Sequence, residues 1–350
     1  MNLFSRYGRL ALLAEQAGKK AFFVAPSGSA VITDMQYHFV PDENGLARVY
    51  STLDAAIGAC TANRGDVIYV LPGYTQTLEA AGAIAADVAG ISIVGLGNGA
   101  DRPTLTFSTD TAASMAISAA SVSVKGIIGV AGIDGLTLPF NVTGDNCSLD
   151  IEWQDASSTV EAETAVRLDT ANNSKLKLVY KGFTAGNAAV RPVAVDDCDN
   201  VEINIDGYGV VSTAWVNLVD AASTNVKVEG KLYTQGITNF TRDVVDTVGT
   251  STWSATIFDA SFGGWVSGGS AAALASDDVS AVATSVTAVN TDIGNPSARA
   301  NFASLETMIG VPDAVNSNLD DMIRTGFDST AITANADGSL MERIETIQQH

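Results

Sequence analysis

The chain has 350 residues, of which 46% are hydrophobic, so it can bury a substantial core. Its 39 acidic residues against 19 basic ones give a formal net charge of −20. Nucleic acid is therefore not expected as a main partner, because neutralising phosphates requires clustered Lys and Arg. The acidic balance favours solubility instead.

The sequence does not predict secretion or membrane insertion. Its beginning lacks a charged segment followed by a Leu-rich stretch, so we expect synthesis in the cytoplasm of the producing cell. The longest stretch of low charge, residues 80–97, consists mainly of Ala and Gly and contains Asp87. Such a stretch lacks the large apolar side chains of a membrane helix, so no membrane partner is expected.

Cysteine and histidine usage argues against a metal or redox centre. Cys60, Cys147 and Cys198 form no CxxC pair, and His38 and His350 lie near opposite ends of the chain. A zinc site of the usual spacing is not expected, and no cofactor is predicted. We interpret Cys147 and Cys198 as small residues packed near corners, at positions that are equivalent in a repeat.

Residues 1–48 are predicted to form an N-terminal arm. Residues 1–24 have a net charge of +3, whereas residues 277–350 have a net charge of −8. A basic arm with aromatic anchors suits contact with an acidic neighbouring surface. The predicted contact residues are Phe4, Arg6, Tyr7 and Arg9, with Phe22 and Phe23 as further anchors. The alternative is a helix from Leu10 to Gln16 that packs on its own domain.

The next element is a short helix. Leu53, Ile57 and Cys60 follow the i, i+4, i+7 spacing of a helical face. This spacing predicts a helix that caps the end of a core.

A short strand with alternating side chains then recurs along the chain. From Val122 onward its starts are 26, 27, 26 and 25 residues apart, which is the regularity of a solenoid. The predicted strands are Val67–Leu71, Ile91–Val94, Val122–Lys125, Ser148–Ile151, Lys175–Leu178, Val201–Asn204 and Val226–Glu229. Strands stacked in register at about 4.8 Å share one continuous apolar core.

A second strand precedes several of these, so each coil is predicted to have at least two faces. These strands are Met115–Ile117, Ala165–Leu168, Pro192–Val195 and Trp215–Leu218. The segments between the paired strands contain residues that tolerate a left-handed backbone and are predicted as corners. They are Asn172–Asn173, Asp199–Asn200 and Thr224–Asn225.

The start of the repeat resembles a known fold family. TLDAAI at residues 52–57, followed by GDVIYVLPGYT at 65–75 and GISIVGLG at 90–97, resembles the opening of pectin-lyase-like proteins. The resemblance implies a mainly β fold, a right-handed single-stranded parallel β-helix over residues 49–262, with the helix plugging its open end. It implies little about activity.

The last part of the chain changes period. Residues 263–276 are rich in Gly, Ser and Ala and are predicted as a linker. Residues 277–350 are predicted as a helical trimerisation region of short, coiled-coil-like helices, because β-branched residues at both heptad core positions favour trimers. The predicted seam is Val279, Val282, Val286, Val289, Ile293, Phe302, Leu305 and Ile309. The alternative is a helical bundle that folds back on its own β-helix.

The tail also carries a second resemblance. IGNPSARANFASL at residues 293–305 resembles a phrase of phage virion structural proteins, and the opening MNLFSRYGRL points the same way. This resemblance implies a capsid decoration, or cement, protein of a tailed bacteriophage. Such a protein is a homotrimer that binds the major capsid protein at three-fold junctions on the outside of the head, so the expected location is the virion.

Catalysis is not predicted. Residues 39–349 contain no histidine, so an imidazole acid or base on the rod is impossible, and Gly-His-Gly and Arg-x-Lys motifs are absent. The nearest carboxylate candidates are Asp196, Asp197 and Asp199, which fall in a predicted corner, and the pair Glu161 and Glu163.

The alternative function is a trimeric tailspike or tail fibre that binds, and in some cases cleaves, host surface polysaccharide. Such a protein displays aromatic and carboxylate side chains along an outward groove. The side chains that decide between the two functions include Trp153, Trp215, Trp253 and Trp265.

Overall fold

The computed structural model describes residues 17–26, 28, 48–183, 190–233, 243–260 and 264–269. Over these residues the protein is mainly β and forms a parallel β-helix of about seven turns. The strands in chain order are β1 (Ala21–Val24), β2 (Val49–Tyr50), β3 (Val67–Val70), β4 (Thr75–Leu78), β5 (Ile84–Ala86), β6 (Ser92–Gly95), β7 (Thr104–Phe107), β8 (Met115–Ile117), β9 (Ser123–Ala131), β10 (Phe140–Val142), β11 (Ser148–Gln154), β12 (Val166–Asp169), β13 (Lys175–Lys181), β14 (Val193–Asp196), β15 (Glu202–Tyr208), β16 (Val216–Leu218), β17 (Val226–Tyr233), β18 (Val244–Asp246), β19 (Trp253–Asp259) and β20 (Gly264–Gly269).

Two sheets run along the rod. The long sheet has the order β2-β1-β3-β6-β9-β11-β13-β15-β17-β19-β20, and the short sheet has the order β18-β16-β14-β12-β10-β8-β5. Neighbouring strands within the coils pair parallel and in register, for example Lys175 with Glu202 and Glu202 with Lys227. The predicted solenoid is therefore confirmed, because each recurrent strand pairs with its equivalents in the adjacent coils.

The first coils have three faces. In these coils the part of the chain that contributes to the long sheet is divided into two strands, β3 and β4 in one coil and β6 and β7 in the next. In the following coil a single continuous strand, β9, pairs with both β6 and β7. β9 bends at Gly126, whose φ of +71° favours glycine, and the register with β11 shifts at this point. A Cβ on Gly95 would overlap the Gly126 carbonyl oxygen, so the bend requires two glycines in contact.

The predicted capping helix is present as α1 (Leu53–Gly58). The Thr52 side chain caps it by accepting a hydrogen bond from the amide of Ala55. Its buried residues are Leu53, Ala56 and Ile57. The Asp54 carboxylate accepts a hydrogen bond from the Ala85 amide at 2.9 Å, at the edge strand β5 of the short sheet. The helix thus provides a hydrogen-bond acceptor for one backbone amide of this open edge and also covers the core.

The solenoid extends beyond both predicted limits. β1 lies inside the predicted arm and pairs parallel with β2 and β3. Phe22 and Phe23 are buried there, and Phe23 stacks on Tyr69 with ring centroids 5.6 Å apart. They are not anchors for a neighbouring subunit as predicted, because their own β-helix already buries them. At the other end, β20 lies inside the predicted linker and pairs antiparallel with β19.

In each predicted corner pair, the second residue adopts the left-handed conformation. Residues with positive φ precede the long-sheet strands of successive coils at Ser121, Asn146, Asn173, Asn200 and Asn225. The Asn225 side-chain amide donates a hydrogen bond to Asn200 at 2.7 Å, and that of Asn200 donates to Asn173 at 3.4 Å. The corner therefore forms a ladder of side-chain amides along the rod.

Cys147 and Cys198 are buried, as predicted, but they do not occupy equivalent positions. The register of β11, β13 and β15 places Cys147 level with Ser174 and Val201. Cys198 instead follows the left-handed residue Asp197, at the corner after the short sheet. The equivalence was wrong because a near-multiple of the repeat length does not fix which corner a residue occupies.

Candidate functional site

The outer face of the long sheet carries rows of charged side chains. Lys175 contacts Glu202 at 2.7 Å, and Lys177 contacts Asp150 at 3.3 Å, in both cases between neighbouring coils. Lys181 contacts Glu152 at 2.5 Å. A shallow groove of about 250 Å³ is lined by Lys175, Leu176, Lys177, Glu202, Ile203, Asn204, Lys227 and Glu229. Opposite charges on adjacent coils favour stacking, but each exposed pair contributes little to stability.

On the short sheet, the predicted carboxylate candidates maintain the fold. Asp196 accepts hydrogen bonds from the Arg167 guanidinium at 2.5 Å and from the Ala221 amide at 2.8 Å. Asp197 has a φ of +48°, and Asp199 accepts a hydrogen bond from the Thr224 hydroxyl within the corner. Each of these three aspartates either joins neighbouring coils or forms part of a turn, as the prediction of corner residues implies.

An aromatic patch lies at the C-terminal coils of the long sheet. We define it as Tyr208, Tyr233, Phe258 and Trp265. Tyr208 and Tyr233 are register partners on β15 and β17 and are 42% and 45% exposed. Trp265 on β20 is 65% exposed and packs edge-on against Phe258, with centroids 5.6 Å apart. Phe183, 38% exposed, follows β13, the neighbouring strand.

Sequence reasoning found only one member of this patch. Among the four tryptophans considered, Trp153 and Trp215 are fully buried, Trp253 is half-buried and Trp265 is exposed. The signal that identifies the two tyrosines is their position: Tyr208 and Tyr233 end strands on which charged or polar residues occupy the outward positions, so alternation alone places both rings outside.

A cluster of buried carboxylates follows β11. Asp155 accepts hydrogen bonds from Trp153 Nε1 at 2.9 Å, from the Tyr180 hydroxyl at 2.5 Å and from the Ala162 amide at 3.1 Å. Burial raises the pKa of Asp155. Glu161 is also buried, and its Oε2 has no hydrogen-bond partner among the described residues.

The titration of Glu161 follows from this environment. Burial, together with the nearby carboxylates of Asp155 and Asp134, raises the pKa of Glu161 to about 7. The partner Glu163 of the predicted pair is different, because it is more exposed and lies 3.8 Å from Arg191. Asp243 resembles Glu161, since burial and the adjacent Asp259 raise its pKa to about 7.

These raised pKa values predict a protein that loses stability as the pH rises. Between pH 4.5 and about 7 the folded state binds more protons at Glu161 than the unfolded state, so the free energy of unfolding falls. We expect a loss of about 1–3 kcal/mol between pH 5 and pH 8, measured by urea unfolding. Glu161→Gln should reduce this slope. Glu163→Gln is the matched control and should leave it unchanged; an unaltered slope in Glu161→Gln contradicts the assignment.

The residues predicted to make contacts between chains lie outside the described residues. This holds for the arm residues Phe4, Arg6, Tyr7 and Arg9 and for every residue of the predicted trimer seam. Within the described ranges, no group of three or more His, Cys, Asp or Glu side chains is placed to hold a metal ion. No helix in the described part of the chain is long and apolar enough to span a membrane.

Comparison with models of protein families, with curated proteins and with solved structures gives no match for this chain.

Proposed function

We propose that the protein is a virion structural protein: a homotrimeric decoration, or cement, protein that binds the outer surface of a tailed-phage head at three-fold junctions. The observation that supports this proposal is the arrangement of the rod. Several outward lysines of its long sheet are paired with carboxylates of neighbouring coils, and its one exposed aromatic patch within the described residues is a surface suited to binding.

The mechanism is binding rather than catalysis. A β-helix with a capped N-terminal end is stiff, because each coil hydrogen-bonds to the coils before and after it. Contacts made by the segments before and after such a rod would hold neighbouring coat subunits together against the internal pressure of packaged DNA. Several weak contacts on one rigid trimer add through effective concentration, so stable attachment does not require one large interface.

The proposal includes three finer features of the fold and its assembly. These are the right-handed winding of the β-helix, the short C-terminal helices, and the three-chain assembly through the heptad seam. The major capsid protein is the proposed partner, and neither nucleic acid, membrane nor cofactor has a part in the proposal.

The proposal is tested by mixing the purified protein with undecorated, expanded phage heads. We expect saturable attachment of one trimer per three-fold position, counted by quantitative gel densitometry and located by electron microscopy. Arg6→Glu combined with Arg9→Glu should weaken attachment by about tenfold or more, since both charges of the predicted contact are reversed. Lys125→Glu, on the exposed outer face of β9, is the control for charge alone. Heads that do not bind the unchanged protein contradict the proposal.

The oligomeric part of the proposal has its own test. We expect a mass of three times the 36.1 kDa chain by light scattering. Val282→Asp combined with Val286→Asp should produce smaller species, because two charges enter the predicted seam. Ser285→Asp, one position outside the seam, should keep the trimer.

The second candidate is a tailspike or tail fibre that binds host polysaccharide. The observation that favours it is the aromatic patch, with Asp206 and Lys231 on the adjacent outward row. Exposed aromatic rings beside hydrogen-bonding groups suit both faces of a sugar. Retention on immobilised host polysaccharide, lost in Tyr208→Ala with Tyr233→Ala while attachment to heads is absent, would select this function instead.

A further inference from the structure

The exposed large hydrophobic side chains are concentrated at one place on the rod. All four that the described residues contain, Phe183, Tyr208, Tyr233 and Trp265, lie on or directly after β13, β15, β17 and β20. Side chains of the same classes elsewhere in the described coils are buried or half-buried. A concentration of this kind on one edge of a soluble protein marks an interaction surface rather than a random exposure.

Two unpaired charges of opposite sign lie within this patch. Asp206 on β15 and Lys231 on β17 are register partners, and Lys231 is in turn the register partner of Phe258. Neither makes an ion pair within the described part of the chain, whereas Lys175, Lys177 and Lys227 on the same face all do. A surface that carries both an unpaired acid and an unpaired base is complementary to a copy of itself.

The area of the patch is too small to form a stable interface by itself. At the observed exposures, the patch residues Tyr208, Tyr233 and Trp265 together with the neighbouring Phe183 offer roughly 400 Å² per chain, using about 150–250 Å² for each fully buried aromatic residue. A stable interface needs about 800 Å² per partner. The patch is therefore suited to an interface that a second element completes.

The position of the patch indicates that the second element is the predicted heptad seam. β20 is the last described strand, and residues 270–350 follow it in the sequence. The predicted heptad seam begins at Val279, ten residues after Gly269, which is a reach of at most about 35 Å for an extended chain. A seam that gathers three chains within this reach of β20 brings three copies of the patch near one axis.

We propose that the aromatic patch, with Asp206 and Lys231, is the lateral contact between copies of this chain. This inference rests on the proposed homotrimer and names the surface by which its β-helices pack. Around a three-fold axis, equivalent patches face one another, so the rings form an apolar centre and Lys231 of one copy pairs with Asp206 of the next. The patch and the heptad seam then act together, each supplying part of the interface.

The test is a charge exchange between copies of the full-length chain. Lys231→Asp gives a patch with two acidic residues, and Asp206→Lys gives a patch with two basic residues. Each variant alone should associate on the order of tenfold more weakly than the unchanged chain, measured by sedimentation over a concentration series. An equimolar mixture of the two variants should recover most of the lost association, because oppositely charged patches then meet at two of the three interfaces of a mixed trimer. Thr77→Lys, exposed on β4, is the matched control and should leave the trimer unchanged.

Recovery in the mixture separates contacts between copies from effects within one chain. Within each variant, the like charges on neighbouring coils remain, so an effect confined to the single chain is not rescued by mixing. Acrylamide quenching supplies a second readout: the difference between the unchanged chain and Trp265→Phe isolates Trp265, whose quenching should be about threefold weaker in the trimer than for an exposed indole.

The outcomes are distinguishable. A trimer that is insensitive to both substitutions and leaves Trp265 fully quenchable overturns this inference and leaves the proposed function standing. A monomeric chain overturns the homotrimer itself and, with it, this inference. A monomeric chain whose Trp265 becomes protected on adding host polysaccharide assigns the patch to a glycan instead.

Discussion

Gly230→Ala is expected to lower the free energy of unfolding of the β-helix by about 3–5 kcal/mol. Gly230 lies in β17 with a φ of +154°, a backbone conformation that side chains with a Cβ rarely adopt. It is register partner to Ile205 in the preceding coil and to Ile257 in the following one. An added Cβ would overlap the Ile205 carbonyl oxygen, which belongs to the backbone and has no rotamer by which to move away.

The measurement is the midpoint of urea denaturation, monitored by the far-ultraviolet circular dichroism signal of the β-sheet. Gly58→Ala is the matched control, since Gly58 is at the end of α1 and an added Cβ has nothing within 4 Å. Alanine has the higher helix propensity, so this variant should be as stable as the unchanged chain or slightly more stable. Equal midpoints for both variants would contradict the close packing of β15 against β17.

Asp155→Ala is expected to cost about 3–5 kcal/mol of folding free energy. The substitution removes the acceptor for three donors, Trp153 Nε1, the Tyr180 hydroxyl and the Ala162 amide, all in the interior. Each buried donor that loses its partner costs about 1–3 kcal/mol, and these donors lie where water does not readily replace the carboxylate. Tyr180 and Trp215 also pack edge to face at 5.7 Å, so a displaced Tyr180 disturbs the next coils.

The control for this substitution is Asp150→Ala. Asp150 lies on the outer face of β11, the strand that precedes Asp155, and contacts Lys177 at 3.3 Å, so we expect a change of no more than about 0.5 kcal/mol. Asp155→Asn is the informative intermediate, because an amide oxygen still accepts hydrogen bonds. It should be more stable than Asp155→Ala in thermal unfolding; equal destabilisation by the two substitutions would mean that the negative charge, rather than hydrogen-bond acceptance, is what the site requires.

The sequence predicts the repeat well because its signals are local. Alternation of apolar and polar residues, corner asparagines and the spacing of Leu53 and Ile57 each depend on a few neighbouring residues, so they are visible without the fold. The β-helix, the capping helix and the left-handed corners at Asn173, Asn200 and Asn225 are therefore confirmed.

The limits of the rod are predicted less well. Ala21–Val24 has no repeat partner close to it in sequence, and its strand forms only because β2 and β3 lie on either side. Gly264–Gly269 is rich in glycine and serine and resembles a linker by composition, yet it pairs with the open edge of β19. In both cases pairing with an available edge outweighs local preference.

The candidate surface depends even more on tertiary structure. Tyr208, Tyr233 and Trp265 are separated in sequence by 25 and 32 residues, and only the stacking of coils places them on one face. The same is true of Glu161, whose raised pKa comes from its burial near Asp155 and Asp134. Alternation along one strand indicates that a ring points outward, but which rings meet and which carboxylates are buried together depends on the neighbouring coils, which no local pattern contains.

The sequence by itself determines the period, the strand faces and the corners of this protein, since each follows from side-chain alternation and backbone preference within a single coil. Tertiary structure alone decides where the rod begins and ends, which carboxylates are buried and which aromatic rings meet at its surface. The physical reason is that coil stacking converts a spacing along the chain into a contact across neighbouring strands, and the environment of a side chain exists only after that contact has formed.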